Sequence, residues 1–305
     1  MKNPNAKTGL ITLAVLLVAL AGVYMLIKNN MPTRTPPPPP PPFVWGSYVG
    51  TEGGLPAFEA AVGKPVDIAA VFVGFSEEFP TDFAESLAST TQTLLVFWEP
   101  EGNHKDVLSG KYDAAIRAFA DKARAWGGKI VLVPFNEPNL YEPNDAPTPW
   151  GFGADGNTTD SFKEAWRHVR EVFGAASNVK WGLAFNNVAI PDDPANTIAN
   201  LYPGDEWVDY VGVDGFNGYD GWQTPAEIFD ASINELKVLN KPIYIFSVAS
   251  MEGPEKPQWM QDFYTYMNGE QPIEGFVWFN ENKEFDWRVD SDPDSLQAFK
   301  QGLNF

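Results

Sequence analysis

The sequence contains no cysteine and only two histidines, and this excludes several kinds of site. Without cysteine the chain has no disulfide framework, no thiolate metal site, no thiol nucleophile and no cysteine to carry a lipid anchor. His104 falls in a predicted loop and His168 in a predicted helix, where a structural role is expected. The remaining residues assemble neither a metal site nor a serine triad, so we expect no metal and no cofactor.

Basic residues are also scarce: 21 Lys and Arg stand against 40 Asp and Glu, for a formal charge of −19. The first 42 residues hold four basic residues and no acid, so residues 43–305 alone carry −23. Nucleic acid is therefore not expected as a partner, because phosphate binding needs a basic face. An acidic chain with 11 Trp and 22 Phe is compatible with a neutral ligand that stacks on aromatic rings, such as a glycan.

The N-terminal 42 residues differ in composition from the rest. Residues 9–27 form an uncharged apolar run long enough to span a bilayer, so residues 1–30 are predicted to be a membrane anchor or signal segment. We favour an uncleaved anchor; the alternative is a signal cleaved near 19–21. Residues 31–42 end in seven prolines and are predicted to be a stiff linker. The sequence therefore predicts an exported barrel, held at the membrane or secreted.

From residue 43 onward, apolar strand-like runs alternate with helical patterns. The predicted strands are 45–49, 66–74, 93–98, 129–135, 179–185, 210–216, 242–248 and 275–279, and the clearest helices are 112–126, 160–173, 225–239, 256–267 and 294–303. Eight such runs joined by helices predict an α/β fold, a single (β/α)8 TIM barrel over residues 43–305. The alternative, an open doubly wound sheet, lacks support because residues 50–54 do not have the GxGxxG spacing.

A barrel of this kind places its site at the carboxyl ends of its strands. The residues at those positions are Trp98, Glu99, Asn136, Glu137, Asn139, Asn186, Asn187, Asp214, Asn217, residues 247–250, Trp278, Asn280 and Glu281. Amides and carboxylates bind hydroxyl groups, and indole faces stack on sugar rings. The set therefore indicates a carbohydrate site, with Glu137 placed for general acid/base chemistry.

Ten short motifs together give the chain a family resemblance. They are FWEP (97–100), GKYD (110–113), PFNEPN (134–139), AWRHV (165–169), YPGD (202–205), VGVDGFN (211–217), KPI (241–243), WFN (278–280), WR (287–288) and DS (290–291). In order and spacing they resemble glycoside hydrolase family 26, the β-mannanase family of a large clan of retaining barrels. The resemblance covers nearly everything after the prolines.

The resemblance implies a retaining hydrolase of β-linked glycans, with β-mannan as the first candidate substrate and β-glucan or xylan as alternatives. By motif, Glu137 would be the acid/base, and we expect a monomer. The implied substrate-binding residues are Trp98, Glu99, Asn136, Asn139, Asp214, Phe216 and Trp278. Asn136 stands where family 26 more usually has His, and no Arg lies two residues before it, which weakens the assignment to mannan.

The seventh strand departs further from the family pattern, because counting along 241–247 puts Ser247 where the nucleophilic Glu is expected. A serine with no base beside it cannot replace that carboxylate. The chain is then either a naturally degenerate member that binds glycans without cutting them, or one with a deliberate nucleophile replacement. A third interpretation is that Glu252 or Asp214 supplies the carboxylate. Phe216 also departs, since many relatives have Tyr there.

Overall fold

Strands and helices alternate along the chain in the computed structural model, which describes residues 43–50, 54–88, 91–143, 148–269 and 271–303. The strands are β1 (Val44–Tyr48), β2 (Ile68–Gly74), β3 (Thr93–Glu99), β4 (Ile130–Pro134), β5 (Val179–Asn186), β6 (Tyr210–Asn217), β7 (Ile243–Ser250) and β8 (Ile273–Phe279). The helices are α1 (Leu55–Val62), α2 (Thr81–Ser86), α3 (His104–Leu108), α4 (Asp113–Trp126), α5 (Thr159–Phe173), α6 (Ile198–Leu201), α7 (Pro225–Lys237), α8 (Lys256–Met267) and α9 (Pro293–Leu303).

The eight strands form a closed parallel barrel in sequence order, with β8 paired to β1. This confirms the predicted fold, and each predicted strand overlaps an observed one. Parallel strands covered on both sides are expected to be mostly apolar, as β3 and β4 are here. Phe97, Val133 and Phe246 belong to a small cluster of buried side chains on the strands, whereas most core side chains belong to a larger cluster that includes the helices.

Two long helices begin with the same capping box. Thr158 before α5 and Thr224 before α7 each accept a hydrogen bond from the backbone N–H three residues later, and the side chain at that later position bonds back to the Thr backbone. These reciprocal bonds satisfy N–H groups that have no partner inside the helix, and so they fix where each helix begins. Both helices start at the carboxyl-end side of the barrel, so their caps also define the loops that surround the mouth.

A bulge in β7 sets the pairing of the residues at the barrel mouth. Val213 of β6 pairs with Ile245, but the next residue, Asp214, pairs with Ser247, so Phe246 is an extra residue in β7. Bulges bend a strand and change the direction of the side chains that follow. Because paired residues in a sheet point to the same face, Asp214 and Ser247 share one face of the sheet.

The predicted anchor and linker lie outside the described residues. Within the part of the chain that the structure describes, no helix is both long enough and apolar enough to cross a bilayer.

Candidate active site

Glu137 stands on an irregular turn directly after β4. Phe135 and Glu137 have φ values of 53° and 54°, in the left-handed region that residues other than glycine rarely adopt. The turn is held from both sides, because Phe135 N–H donates to Trp98 C=O at 3.0 Å and Glu137 N–H donates to Ala184 C=O at 3.1 Å. Backbone strain that persists under such restraint is typical of functional sites.

The Glu137 carboxylate is oriented by an amide from the next strand. Asn186, the last residue of β5, donates from Nδ2 to Glu137 Oε1 at 2.9 Å. Asn186 is itself fixed by Asn139, whose Oδ1 accepts from Asn186 N–H at 2.8 Å and whose Nδ2 donates to Asn186 C=O at 2.9 Å. The prediction that Asn139 binds substrate is therefore wrong, because its buried side chain bonds the backbone of Asn186 at the end of β5.

Asn136 is buried beside Glu137, as the sequence predicted for this strand end. Its backbone C=O accepts from Trp150 Nε1 at 2.7 Å, so the loop that carries Trp150 is tied to the site. Its side chain lies against the Asp214 carboxyl, and its Oδ1 has no hydrogen-bond partner among the described residues. A buried amide oxygen without a partner is uncommon and leaves an acceptor available at the mouth.

Three carboxyl groups at the mouth affect one another. Burial, and then the charge of Glu137, raise the pKa of Glu99 to about 7, while Lys283 lowers it. Burial also raises the pKa of Glu137, against the lowering effects of the Asn186 hydrogen bond and Lys283. A raised pKa suits a carboxyl group that must donate a proton near neutral pH.

Asp214 has the most strongly perturbed environment of the three. It is almost fully buried, and burial followed by the charge of Glu137 raises its pKa well above the usual value. The Ser247 backbone N–H donates to this carboxyl group, while Oδ1 has no hydrogen-bond partner in the described structure. Asp214 is therefore close to both positions that the sequence predicted to be catalytic, and its surroundings favour the protonated form of its carboxyl group.

Ser247 lies at the predicted place on β7, with 5% of its surface exposed. It brings a small hydroxyl group to the side of the mouth that also holds Asp214. Neither histidine can activate it: His104 bonds Ser161 and the Trp150 C=O through its two ring nitrogens, and His168 Nε2 bonds Asp113 at 2.7 Å. Burial lowers the pKa of His104 to about 4.

The two tryptophans predicted to stack on sugars do not face the mouth. Trp98 has no exposed surface and stacks on Phe119 of α4, with ring centres 4.6 Å apart. Trp278 is equally buried, and its ring meets Phe299 of α9 and Trp259 of α8. Both predictions are wrong, because alternate residues of a strand face opposite sides and these two face the helices.

The aromatic rings at the mouth come from other positions. Phe216 at the end of β6 contacts Phe279, Trp287 and Tyr219, with ring centres 5.3 to 6.0 Å apart. Phe216 was predicted from sequence to be near the substrate, and as Phe it brings no hydroxyl group to this place. Tyr219 and Lys283 were missed, because both lie in loops beyond the strand ends and only the folded chain brings them near Glu137.

The loop after β8 is fixed from behind. Trp278 Nε1 donates to Trp287 C=O at 3.0 Å, and the buried Lys256 ammonium donates to the C=O groups of Asp286 and Arg288 at 2.9 and 2.8 Å. Burial lowers the pKa of Lys256 to about 8. Three hydrogen bonds to backbone C=O groups therefore hold the loop that carries Trp287.

Glu252, which the sequence left open as a substitute carboxylate, is used elsewhere. It is exposed, and its Oε2 accepts from the Asp286 backbone N–H at 2.8 Å. As for metals, the described residues contain no group of three or more His, Cys, Asp or Glu side chains that could hold an ion.

Comparison with known proteins places this geometry in context. The family model described as Glycosyl hydrolase family 26 matches residues 88–291. Endoglucanase H of Acetivibrio thermocellus is 34% identical over 278 residues, which are 85% of this chain and 30% of that protein. A mannan endo-1,4-beta-mannosidase of Bifidobacterium adolescentis is 23% identical over 160 residues, which are 52% of this chain and 15% of that protein. The chain thus spans less than a third of either curated relative.

Solved structures share the fold at low sequence identity. The GH26 β-mannanase BoMan26A of Bacteroides ovatus matches with a TM-score of 0.64 at 14% identity, covering 86% of this chain and 88% of that one. The catalytic domain of the GH26 endo-beta-1,4-mannanase of Bacillus sp. JAMB-750 also matches with a TM-score of 0.64, covering 86% of each chain.

Proposed function

The chain belongs to glycosyl hydrolase family 26, and from this membership we propose that it is a β-glycan-recognising barrel that keeps the acid/base of a retaining glycosidase but has lost the nucleophile. The observation that carries the proposal is the contrast between Glu137, which is half-buried, oriented by Asn186 and raised in pKa, and Ser247, which has no carboxylate. The second candidate function, a glycan-binding protein without hydrolysis, rests on the same serine.

Glu137 is assigned the acid/base role. In a retaining mechanism it gives its proton to the glycosidic oxygen as the bond to the anomeric carbon breaks, and later takes a proton from the incoming water. The negative charge that remains on Glu137 after the first transfer is stabilised by the Asn186 amide and by the field of Lys283. Both contacts favour the ionised form, so they assist the release of the proton.

Proton transfer from Glu137 must be accompanied by attack on the anomeric carbon, and Ser247 offers no carboxylate for that attack. Retention requires a second carboxylate about 5 to 5.5 Å from the acid, which attacks the anomeric carbon and forms the glycosyl-enzyme. A serine hydroxyl attacks only when a base removes its proton, and both histidines are bonded elsewhere. We therefore assign the position of the nucleophile, but not its activity, to Ser247.

Asp214 does not substitute for the missing nucleophile. The Asp214 carboxyl is buried and accepts a hydrogen bond from the Ser247 N–H, and burial and the charge of Glu137 raise its pKa well above the usual value. A raised pKa disfavours the ionised carboxylate that attacks as a nucleophile, so we do not assign the missing step to Asp214. Glu252 is exposed and accepts from the Asp286 backbone N–H in the loop after β8, so it is not proposed as the nucleophile either.

The substrate class follows from the relatives and from the lining. The two curated relatives are named as an endoglucanase and a mannosidase, so we propose a β-linked glycan, with β-mannan first and β-glucan or xylan next. Of the residues predicted from sequence, Glu99, Asn136, Asp214 and Phe216 remain proposed contacts. We propose no cofactor for this binding, and we propose that the domain is a monomer.

Residues 1–42 are proposed to determine the location of the barrel. A membrane anchor within 1–30 and a proline linker over 31–42 would hold residues 43–305 outside the cytoplasm, and cleavage of the anchor would release them. Fractionation of cells that express the full chain tests this proposal. Recovery of the barrel in the cytoplasm would contradict it.

Binding and turnover measured on the same sample test the proposed function. The full chain is titrated with mannohexaose, cellohexaose, a mixed-linkage β-glucan oligosaccharide and xylohexaose by calorimetry, and new reducing ends are then counted over days. The expected result is binding to at least one oligosaccharide without detectable cleavage. Cleavage at rates typical of enzymes, at least about one bond per second, would show that the nucleophile is not missing.

A further inference from the structure

The loop between β6 and α7 exposes two aromatic rings at the barrel mouth. Among the described residues, five large apolar side chains count as exposed, and the only aromatic ones are Tyr219 at 57% and Trp222 at 40%. Scattered exposed apolar residues are normal, but two aromatic rings three positions apart beside a candidate site are a feature that marks binding surfaces.

This loop, residues 218–222, is anchored at both ends. Asn217 is fully buried; its Nδ2 donates to Ser250 Oγ at 3.0 Å, and its Oδ1 accepts from Gln223 N–H at 2.7 Å. Trp259 Nε1 donates to Gln223 C=O at 2.7 Å. The base of the loop is therefore tied to β7 and to α8, so the rings stand on a defined support.

Tyr219 lies beside the barrel mouth, because its ring contacts Phe216 at the end of β6. Its hydroxyl group bonds the Glu284 carboxylate, and the charge of Glu137 is close enough to contribute to raising its pKa, after burial and Glu284. The Tyr219 ring meets Phe216, Phe285 and Trp287 at angles of 78°, 73° and 51°, so none of these rings lies parallel to it. With more than half its surface exposed, the ring keeps area for a flat apolar ligand.

Space for a ligand continues past Tyr219. A cavity of about 700 Å³ lies between the loops after β7 and β8, and its lining includes Glu284 and Phe285, both partners of Tyr219. Gly253, also in the lining, lies near the Trp222 indole, since a Cβ built on it would be 3.8 Å from that ring. Volumes of this size are typical of small-molecule sites.

We propose that Tyr219 is a stacking platform for a pyranose ring of the β-glycan, next to the sugars bound over Glu137, and that the chain continues from there into the cavity beside Glu284. This inference rests on the proposed function and names one further contact for it. A pyranose ring fits because one face carries only C–H groups and its edge carries hydroxyls, which suit an aromatic ring bordered by carboxylates. The net charge of −19 disfavours an anionic glycan.

The test compares two variants of Tyr219 with one matched control in the full chain. Tyr219→Ala removes the ring, Tyr219→Phe removes only the hydroxyl group, and Tyr202→Ala removes a half-buried tyrosine that precedes β6 at the opposite end of the barrel. Unfolding midpoints are recorded for all variants, and affinity is measured by calorimetry for the four oligosaccharides named above.

The expected result is a loss of affinity of about tenfold in Tyr219→Ala, with Tyr219→Phe and Tyr202→Ala close to the unchanged protein. Unchanged affinity in Tyr219→Ala, in a protein that does bind an oligosaccharide, overturns the inference and leaves the proposed function standing. If the unchanged protein binds none of the four oligosaccharides, the proposed function fails and the inference fails with it.

Discussion

Both halves of the barrel mouth are held by hydrogen bonds and packing, but they carry different functional groups. The Glu137 half, formed by the ends of β3, β4 and β5, holds Glu99 and Glu137 and an amide that orients the latter. The Ser247 half, formed by the ends of β6, β7 and β8, has a bulged strand, a buried Lys256 and a supported Trp287 loop, and it holds Asp214, whose pKa is raised by burial and by the charge of Glu137. If the proposed function holds, the Ser247 half retains the support of a catalytic side chain that it has lost.

The largest expected effect tests whether both halves are supported equally. Each half is backed by an indole with no exposed surface, Trp98 behind β3 and Trp278 behind β8. Replacing either with Ala leaves a large void between sheet and helices, so we expect each variant to lose about 3–5 kcal/mol in free energy of unfolding. Chemical denaturation followed by circular dichroism measures this loss.

Trp222→Ala is the matched control for the two buried indoles. The Trp222 side chain is 40% exposed, so its removal is expected to change stability by less than about 0.5 kcal/mol. If Trp278→Ala proved far milder than Trp98→Ala, the Ser247 half would be the looser one. A mild loss combined with lost glycan binding would instead restore the stacking role that the sequence predicted for Trp278.

The second prediction is that stability depends on pH through Glu99 in the Glu137 half, but not through Ser247 in the other half. The pKa of Glu99 in the folded protein is about 7, above the 4.5 of an ordinary Glu, so between these pH values the folded protein keeps a proton that the unfolded chain releases. The destabilisation by Glu99 therefore grows as pH rises from 4.5 to 7 and is constant above that. Glu99→Gln should stabilise the protein by up to about 3 kcal/mol above pH 7 and by nothing below pH 4.5.

Ser247→Ala is the matched control from the other half. A hydroxyl group does not titrate in this range, so the stability difference between Ser247→Ala and the unchanged protein should not vary between pH 4.5 and 8. Denaturant unfolding at half-unit pH steps measures both variants. A flat profile for Glu99→Gln would show that Glu99 is not held in the neutral form by its surroundings.

The smallest expected effect concerns the amide that orients Glu137. Asn186→Ala removes the hydrogen bond to Oε1, which favours the ionised form, so the pKa of Glu137 should rise further and stability should fall by about 1 kcal/mol. Asn187→Ala is the control, because the Asn187 amide donates instead to Ile228 C=O. Carboxyl carbon shifts followed through a pH titration report the change. A Glu137 pKa that is equal in both variants would contradict this role of Asn186.

The sequence predicted the fold because eight apolar runs of strand length alternate with helical patterns, and such a pattern has few solutions. It also placed Glu137 and Ser247 at the mouth, because each follows a recognisable run. It failed for Trp98 and Trp278, which were predicted to bind sugar because they lie at strand ends. Their side chains point toward the helices and not into the mouth. Neighbouring residues of a strand face opposite sides: Phe97 belongs to the small cluster on the strands, whereas Trp98 packs against α4. This alternation could have predicted that Trp98 faces the helices.

Other features depend on contacts between distant segments and could not be predicted. Asn139 was expected to bind substrate, but its partner is the backbone of Asn186 on another strand. Lys283 influences Glu99 and Glu137 from a loop after β8, and no pattern near those residues indicates it. The bulge that places Asp214 beside Ser247 arises from the pairing of β6 with β7.

The most direct test of the central claim is the rate of β-glycan hydrolysis by Ser247→Glu, measured beside the unchanged chain on an oligosaccharide that both bind. We predict cleavage at least about a thousandfold faster than in the unchanged chain, with retention at the anomeric carbon and loss of this gain in Ser247→Glu with Glu137→Gln. An equal rate in the unchanged chain, or no cleavage by a Ser247→Glu variant that is folded and binds the glycan, would contradict the assignment of Ser247 as the missing half of the catalytic pair.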